Sequence, residues 1–245
     1  MRLFGLLGKT LKHSFSKGYF TEKFAREGLT DHQYENFELE SISQLPLLLS
    51  QHADLNGLNV TIPYKEEVIP FLHIQDEVVR KIKACNCIKI NNGKLYGFNT
   101  DVIGFKQSLE KELKPSHKKA LVLGTGGAAK AVQYALDLLD IEYLIVSRTK
   151  REGVLSYEEL TGDIISEYML IINTSPVGMF PKVDEAPQIP YEFITPGHYL
   201  FDLIYNPEKT RFLQDGESRG ATIQNGHEML IIQAEESWKI WNSTP

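Results

Sequence analysis

Residues 120–130 read ALVLGTGGAAK. The apolar run 120–123 is short, carries the β-branched Val122 and stops at Gly124, which describes a buried strand of a parallel sheet better than a helix. Gly124-x-Gly126-x-x-Ala129 then fits the dinucleotide fingerprint with alanine in its third place. The first glycine permits a tight turn and the second lets backbone approach a pyrophosphate. The third position must be small so that helix and strand can pack. A helix over 127–139 would aim its first amides and its dipole at that pyrophosphate. An ordinary strand-to-helix turn can carry the same glycines, but here a second apolar strand, 143–146, follows where the ribose would lie. That strand ends in Ser147-Arg148-Thr149-Lys150-Arg151. A cofactor with a free ribose 2′-hydroxyl would call for a carboxylate at this point. Cations and a hydroxyl suit a 2′-phosphate instead, so the expected cofactor is NADP. The bland alternative is a set of solvated loop cations.

The rest of the chain sets the bounds. At 245 residues, with 42% hydrophobic and 24% charged residues, it is a globular chain of one large or two moderate domains. A net charge of −6 with no long basic run argues against a nucleic-acid partner. No apolar stretch reaches ~18 residues and no signal-peptide pattern opens the sequence, so no membrane role and a cytoplasmic location are expected. Cys85 and Cys87 are the only cysteines. Alone in C-x-C spacing they make neither a zinc site nor a disulfide framework, so they read as small strand residues and no metal is expected.

Taken in order, 2–8 reads as a strand ending in glycine. A polar loop (9–16) and a helix bearing Tyr19, Phe20 and Phe24 on one face follow. Strands are expected at 34–39 and 55–62, with a helix at 42–49 between them. Pro63 sits at the first position of a further helix, with Lys65, Glu66 and Glu67 in its first turn. Segments 85–90 and 94–98 flank Asn91-Asn92-Gly93, a hairpin signal. Helix 100–113 leads into the nucleotide unit. Strands at 169–173, 199–203 and 221–224 and helices at 210–219 and 228–241 complete the reading. The fold class is α/β, in two domains. Residues 1–100 with 226–245 form an N-terminal α/β substrate domain, and 101–225 a Rossmann-type NADP-binding domain. The C-terminal helix returns to the first.

Polar clusters fall where open α/β sheets place ligands. His13-Ser14-Phe15-Ser16 precedes a helix, so Ser16 could be an N-cap, or both hydroxyls could join the helix N-terminus in a carboxylate site. Asn59, Thr61 and Lys65 put an amide, a hydroxyl and an amine at one strand-to-helix corner. A helix N-terminus is the unfavourable end for a cation and would lower the Lys65 pKa, as proton transfer requires. Asn86 lies before the hairpin. Asn99 or Asp101 could cap a helix, or the Asp101 carboxylate could pair with the Lys65 ammonium.

Taken together, His-Ser-x-Ser (13–16), Asn-Val-Thr-Ile-Pro-Tyr-Lys (59–65), Asn-Thr-Asp (99–101), Gly-Thr-Gly-Gly-Ala-Ala-Lys (124–130), Asn-Thr-Ser-Pro-Val-Gly-Met (173–179) and Gly-x-x-Met-Leu-x-x-Gln (226–233) resemble the shikimate dehydrogenase family, in that family's order over nearly the whole chain. The resemblance implies reversible NADP-dependent reduction of 3-dehydroshikimate to shikimate, in the route to chorismate and the aromatic amino acids. By motif, Ser14 and Ser16 would hold the substrate carboxylate. Asn59, Thr61, Asn86, Asp101 and Gln233 would bind its ring hydroxyls, with Tyr205 nearby. Lys65 is similar to the catalytic lysine and Asp101 to its partner. On the cofactor side the resemblance implies Gly124, Gly126, Gly127, Ala128, Ala129 and Lys130 at the pyrophosphate, and Ser147, Arg148, Thr149 and Lys150 at the ribose phosphate. It adds Thr174, Met179 and Gly226, with Met179 towards the nicotinamide. The sequence departs from the family pattern at Lys17, Cys87, Val102 and Ser147, and its segment after Arg151 is short. The alternatives are a quinate/shikimate dehydrogenase using NAD or NADP, and a non-catalytic paralogue that keeps the ligand pocket. Either a monomer or a homodimer is compatible.

Overall fold

The computed structural model describes residues 1–12 and 14–243. Its contacts divide the chain into two compact units, one of 1–100 with 234–245 and one of 101–233.

The first unit contains β1 (Arg2–Gly8), α1 (Phe15–Arg26), β2 (His32–Glu38), α2 (Leu45–Gln51), β3 (Leu55–Val60), α3 (Tyr64–Glu67), β4 (Ile74–Gln75), α4 (Glu77–Ile82), β5 (Cys87–Asn91) and β6 (Lys94–Phe98). The strands form one sheet in the order β2-β1-β3-β5-β6-β4. β1 runs parallel to β2 and β3, while β5 is antiparallel to both β3 and β6. Asn91 pairs with Lys94, and both residues of the turn between them, Asn92 and Gly93, have positive φ (49° and 71°). That is the turn whose twist suits a two-residue hairpin. Side chains alternate along β1. Leu3 and Leu7 enter a core with Leu45, Leu58 and Tyr64, whereas Phe4 and Leu6 enter an aromatic core with Phe20, Phe24, Tyr34 and Trp241.

The second unit contains α5 (Asp101–Glu110), β7 (Lys119–Leu123), α6 (Gly127–Leu138), β8 (Glu142–Ser147), β9 (Val154–Ser156), α7 (Gly162–Glu167), β10 (Leu170–Asn173), β11 (Tyr199–Asp202), α8 (Arg211–Glu217) and β12 (Thr222–Gln224). The last helix, α9 (His227–Asn242), begins in this unit and ends in the first. All pairs in the sheet β12-β11-β10-β7-β8-β9 are parallel. Counting strands from β7, this is the doubly wound order 3-2-1-4-5-6, with its switch point between β7 and β10. Ala120 to Leu123 are wholly buried, as a central parallel strand requires.

Several boundaries differ from the sequence reading. The expected helix at 42–49 is a 3-10 turn, Ile42–Gln44, followed by α2. The Gln44 side chain caps the Glu40 and Ser41 amides, and Pro46 restarts the ladder because it has no N–H to give. The strand expected to include both cysteines starts at Cys87, and Cys85 precedes it, its buried thiol donating to the Cys87 carbonyl at 3.4 Å. Pro63 is the N-cap of α3 rather than its first residue, and α3 is a single turn.

Candidate functional site

In the first unit the expected ligand residues sit on a connected polar floor. Tyr34 is completely buried, which raises its pKa well above the usual phenol value and keeps it a donor, although the Ser16 hydroxyl acts on it in the opposite sense. Its hydroxyl donates to Asn59 Oδ1 at 2.9 Å. Asn59 Nδ2 donates to Ser237 Oγ at 2.8 Å, and Ser237 Oγ lies 3.3 Å from Thr100 Oγ1. The Thr100 amide donates to Asn86 Oδ1 at 2.6 Å, and Asn86 Nδ2 donates to Thr100 Oγ1 at 3.0 Å. This chain runs from β2 through β3 and the end of α9 to the loops flanking β5 and β6. Asn59 and Asn86, legible from the motifs, are therefore oriented by Tyr34, Thr100 and Ser237, which the sequence reading did not single out.

At the start of α1 the structure corrects the capping expectation. Ser14, not Ser16, occupies the N-cap position, and its side chain makes no capping bond. Its Oγ is buried without a hydrogen-bond partner. Leaving such a hydroxyl unpaired costs roughly 1–3 kcal/mol unless a ligand oxygen completes it, which suits a carboxylate at this point. His13 lies outside the described residues. Thr61 ends the β3 corner, its amide bonded to the Leu7 carbonyl at 2.9 Å, and Lys65 is half-buried in α3. One helical turn of four residues sums few peptide dipoles, so the dipole expected to act on Lys65 is largely missing.

Asp101 opens α5 in the second unit and is 2% exposed. Gln233, on α9, packs its backbone close to Gly104 of α5.

The nucleotide end of this unit tests whether the residues fit NADP. Gly124 has φ +129°, and a Cβ there would strike Thr174 Oγ1. Only glycine satisfies both conditions. Gly126 is the N-cap of α6, and a Cβ added to it meets nothing within 4 Å, so the backbone face is open. Gly127 and Ala128 supply the next amides of α6, and Ala129 is buried against the sheet. An open glycine face at the head of a twelve-residue helix is what a pyrophosphate needs. At the end of β8, Ser147 Oγ and Thr149 close a local turn, the Thr149 amide donating to Ser147 Oγ at 3.2 Å. Arg148 is exposed. Arg151 Nη2 reaches Thr125 Oγ1 at 3.3 Å, bringing a cation to the glycine loop. Lys150 is exposed but ion-paired with Glu159. The donors and charges fit a phosphorylated dinucleotide.

Around the switch point, Thr174 spends its hydroxyl on the Leu123 carbonyl at 2.9 Å. Met179 and Phe180 stand exposed at the tip of the following loop, and Tyr205 is half-buried. Gly226 is buried because the Leu203 carbonyl lies where its Cβ would be. Packing thus accounts for this glycine. Among the described residues no cluster of three or more His, Cys, Asp or Glu could hold a metal, and no helix is long and apolar enough to cross a membrane.

The family model described as the shikimate dehydrogenase substrate binding domain matches residues 6–88. The shikimate dehydrogenase (NADP(+)) of Caldicellulosiruptor bescii is 39% identical, over 98% of this chain and 89% of its own length. The chain belongs to the shikimate dehydrogenase family. Two solved members of the family have the same architecture. Shikimate dehydrogenase from Aquifex aeolicus superposes with TM-score 0.89 at 32% identity, covering 100% of this chain and 94% of its own. The Thermus thermophilus enzyme in complex with NADP(H) and shikimate gives 0.88 at 29% identity, covering 99% and 94%. The α/β, two-domain, Rossmann-type expectation agrees with these neighbours.

The residues that the sequence did not single out are those whose role is to hold another side chain. Ser237 follows Gln233 by four positions on one helix, a spacing that places both on the same stripe. That was the available signal. Thr100 stood inside the Asn-Thr-Asp motif without a role assigned to it, and Tyr34 offered no signal, because its partner Asn59 is 25 residues away.

Proposed function

We propose that this chain is an NADP-dependent shikimate dehydrogenase that interconverts 3-dehydroshikimate and shikimate. The observation that carries the reading is the 39% identity to an NADP(+) shikimate dehydrogenase over 98% of the chain, which spans both units and hence both sets of ligand residues. The first unit, with the end of α9, is the substrate domain, and the second binds NADP. Ser14 and Ser16 hold the substrate carboxylate. Asn59, Thr61, Asn86, Gln233 and Tyr205 address the ring.

NADPH, when bound at the α6 N-terminus and the Arg148–Arg151 strip, supplies the hydride. The chain supplies position and the proton. Lys65, as ammonium, polarises the C3 carbonyl of 3-dehydroshikimate and donates its proton to that oxygen, and in the reverse direction the amine removes it. Asp101 is the carboxylate that orients the amine and the reacting hydroxyl. General acid–base catalysis of this kind contributes ~10²–10⁴-fold, with positioning of substrate against cofactor adding to it. The enzyme would work in the cytoplasm, as a monomer or homodimer.

The test is the rate of NADPH formation from shikimate, run beside NAD and beside quinate. Turnover with shikimate and NADP is expected to dominate. Preference for NAD or for quinate would redirect the assignment, and binding of shikimate without turnover would make the chain a ligand-binding paralogue. Lys65→Ala should lose kcat by ~10²-fold or more while shikimate affinity changes far less. A variant with near-normal kcat would remove Lys65 from the mechanism.

A further inference from the structure

Asp202 is the last residue of β11, and its register partner on the adjacent strand is Asn173, the last residue of β10. Both side chains are wholly buried, as is Thr210, eight residues further on. Asp202 Oδ1 accepts from Asn173 Nδ2 at 3.1 Å and from the Ile204 amide at 3.0 Å, and Oδ2 accepts from Thr210 Oγ1 at 2.6 Å. Asn173 in turn gathers the loop that follows it. Its Oδ1 accepts from the Ser175 amide and hydroxyl at 3.1 and 2.7 Å, and its Nδ2 donates to the Val177 carbonyl at 3.3 Å. Across the same gap the Phe180 amide donates to the Asn206 carbonyl at 3.2 Å. One buried carboxyl thus stands at the crossing of two strand-end loops. One carries Thr174 and Met179, the other Tyr205.

We propose that Asp202 is a positioning residue that braces the 173–180 loop against the 203–210 loop and so sets the ligand-facing geometry of Thr174, Met179 and Tyr205. This rests on the reading of those loops as ligand-bearing. A leucine would fill the same volume without orienting either loop. The carboxylate orders three donors that come from a neighbouring strand, its own loop and the cap of α8.

The brace depends on its charge. Ionised, the carboxylate accepts all three bonds. Protonated on Oδ2, it turns from acceptor to donor towards Thr210 and loosens that corner. Burial pushes the Asp202 pKa up to about 7, against the opposing effect of the Thr210, Ile204 and Asn173 donors. Among the described residues the Tyr191 phenol is coupled to it, and burial keeps that phenol protonated. The change therefore falls near neutrality and belongs to Asp202.

Asp202→Asn mimics the protonated acid without a change of shape. It should bind NADP about as well as the wild type near pH 6 and about 5- to 10-fold more weakly near pH 8, where one charge-assisted bond is missing. The 2′-phosphate of the ligand titrates alike with both proteins and drops out of their ratio. A merely structural role would give a ratio that does not change with pH. Amide hydrogen exchange of 173–180 and 203–210, measured near pH 8 without ligand, is expected to be several-fold faster in the variant. Thr210→Val should weaken NADP binding near pH 8 in the same direction, and Thr210→Ser should restore it. A pH-independent ratio, or unchanged exchange in both loops, overturns the brace. If the wild type itself fails to bind NADP, the ligand reading falls, and the exchange experiment still decides the brace.

Discussion

Asn59 meets a ligand with whatever its amide has left after the protein has used the rest. Its carbonyl oxygen is taken by Tyr34, one Nδ2 proton by Ser237 and the other by the Asn86 carbonyl at 3.5 Å, so the amide cannot flip and the long bond to Asn86 is the one a ligand would displace. Ser237→Ala would leave the part-buried Nδ2 proton without its Ser237 partner, while the Thr100 hydroxyl keeps Asn86. The expected result is about tenfold weaker shikimate binding with NADP affinity unchanged, and a loss of roughly 1–3 kcal/mol in stability. Isothermal titration with each ligand separates the two, and equal losses for both would show a general loosening instead. The asparagines proposed to carry recognition are legible in the sequence because they fall at strand ends inside dense motifs. The groups that orient them did not. A serine 178 residues away from its partner leaves no local pattern.

At the scale of elements, the same contrast separates what periodicity announces from what packing decides. β7, the fingerprint turn and α6 were readable because an apolar strand, fixed glycines and a long amphipathic run follow one another. α3, β4, β9 and α7 were not read as they stand, because two to six residues are too few to show a period. Gly57 was equally silent. Its reason is the Trp241 ring, which lies where a Cβ would be, stacks on Phe4 at a 4.9 Å centroid distance and donates its Nε1 proton to the Ile88 carbonyl at 3.0 Å. Lys23 pairs with Glu27 at the end of its own helix, and its second ion pair, to Glu235, holds α1 to the same half of α9. Trp241→Ala is therefore expected to cost about 3–5 kcal/mol, read from the urea midpoint. A cost below about 1 kcal/mol would mean that the aromatic core closes without it. In the nucleotide unit, Gly124→Ala meets both a left-handed φ and the Thr174 hydroxyl. NADP affinity should fall while shikimate affinity holds.

For the whole molecule, the decisive fact is that each unit has its own core and that the first is completed only by the end of the chain. Residues 234–243 bring Trp241 and Ser237 to a sheet whose strands all lie within 2–98, so the first unit closes around an element that follows the entire second unit. Both tryptophans of the chain, Trp238 and Trp241, lie in that closing segment. Tryptophan fluorescence therefore reports the first unit, while far-ultraviolet ellipticity reports both. A ligand stabilises what it binds by RT ln(1 + [L]/Kd), about 2.7 kcal/mol at a hundredfold excess over Kd. Shikimate, proposed to be held mainly by the first-unit residues Ser14, Ser16, Asn59, Thr61 and Asn86, with Gln233 and Tyr205 from the second, should raise the unfolding free energy read by fluorescence by about that amount. NADP alone should move the ellipticity transition and leave the fluorescence midpoint close to its unliganded value. If NADP shifts both transitions equally, the two cores melt as one cooperative body, and the separate assignment of substrate to the first unit and cofactor to the second could no longer be read from stability.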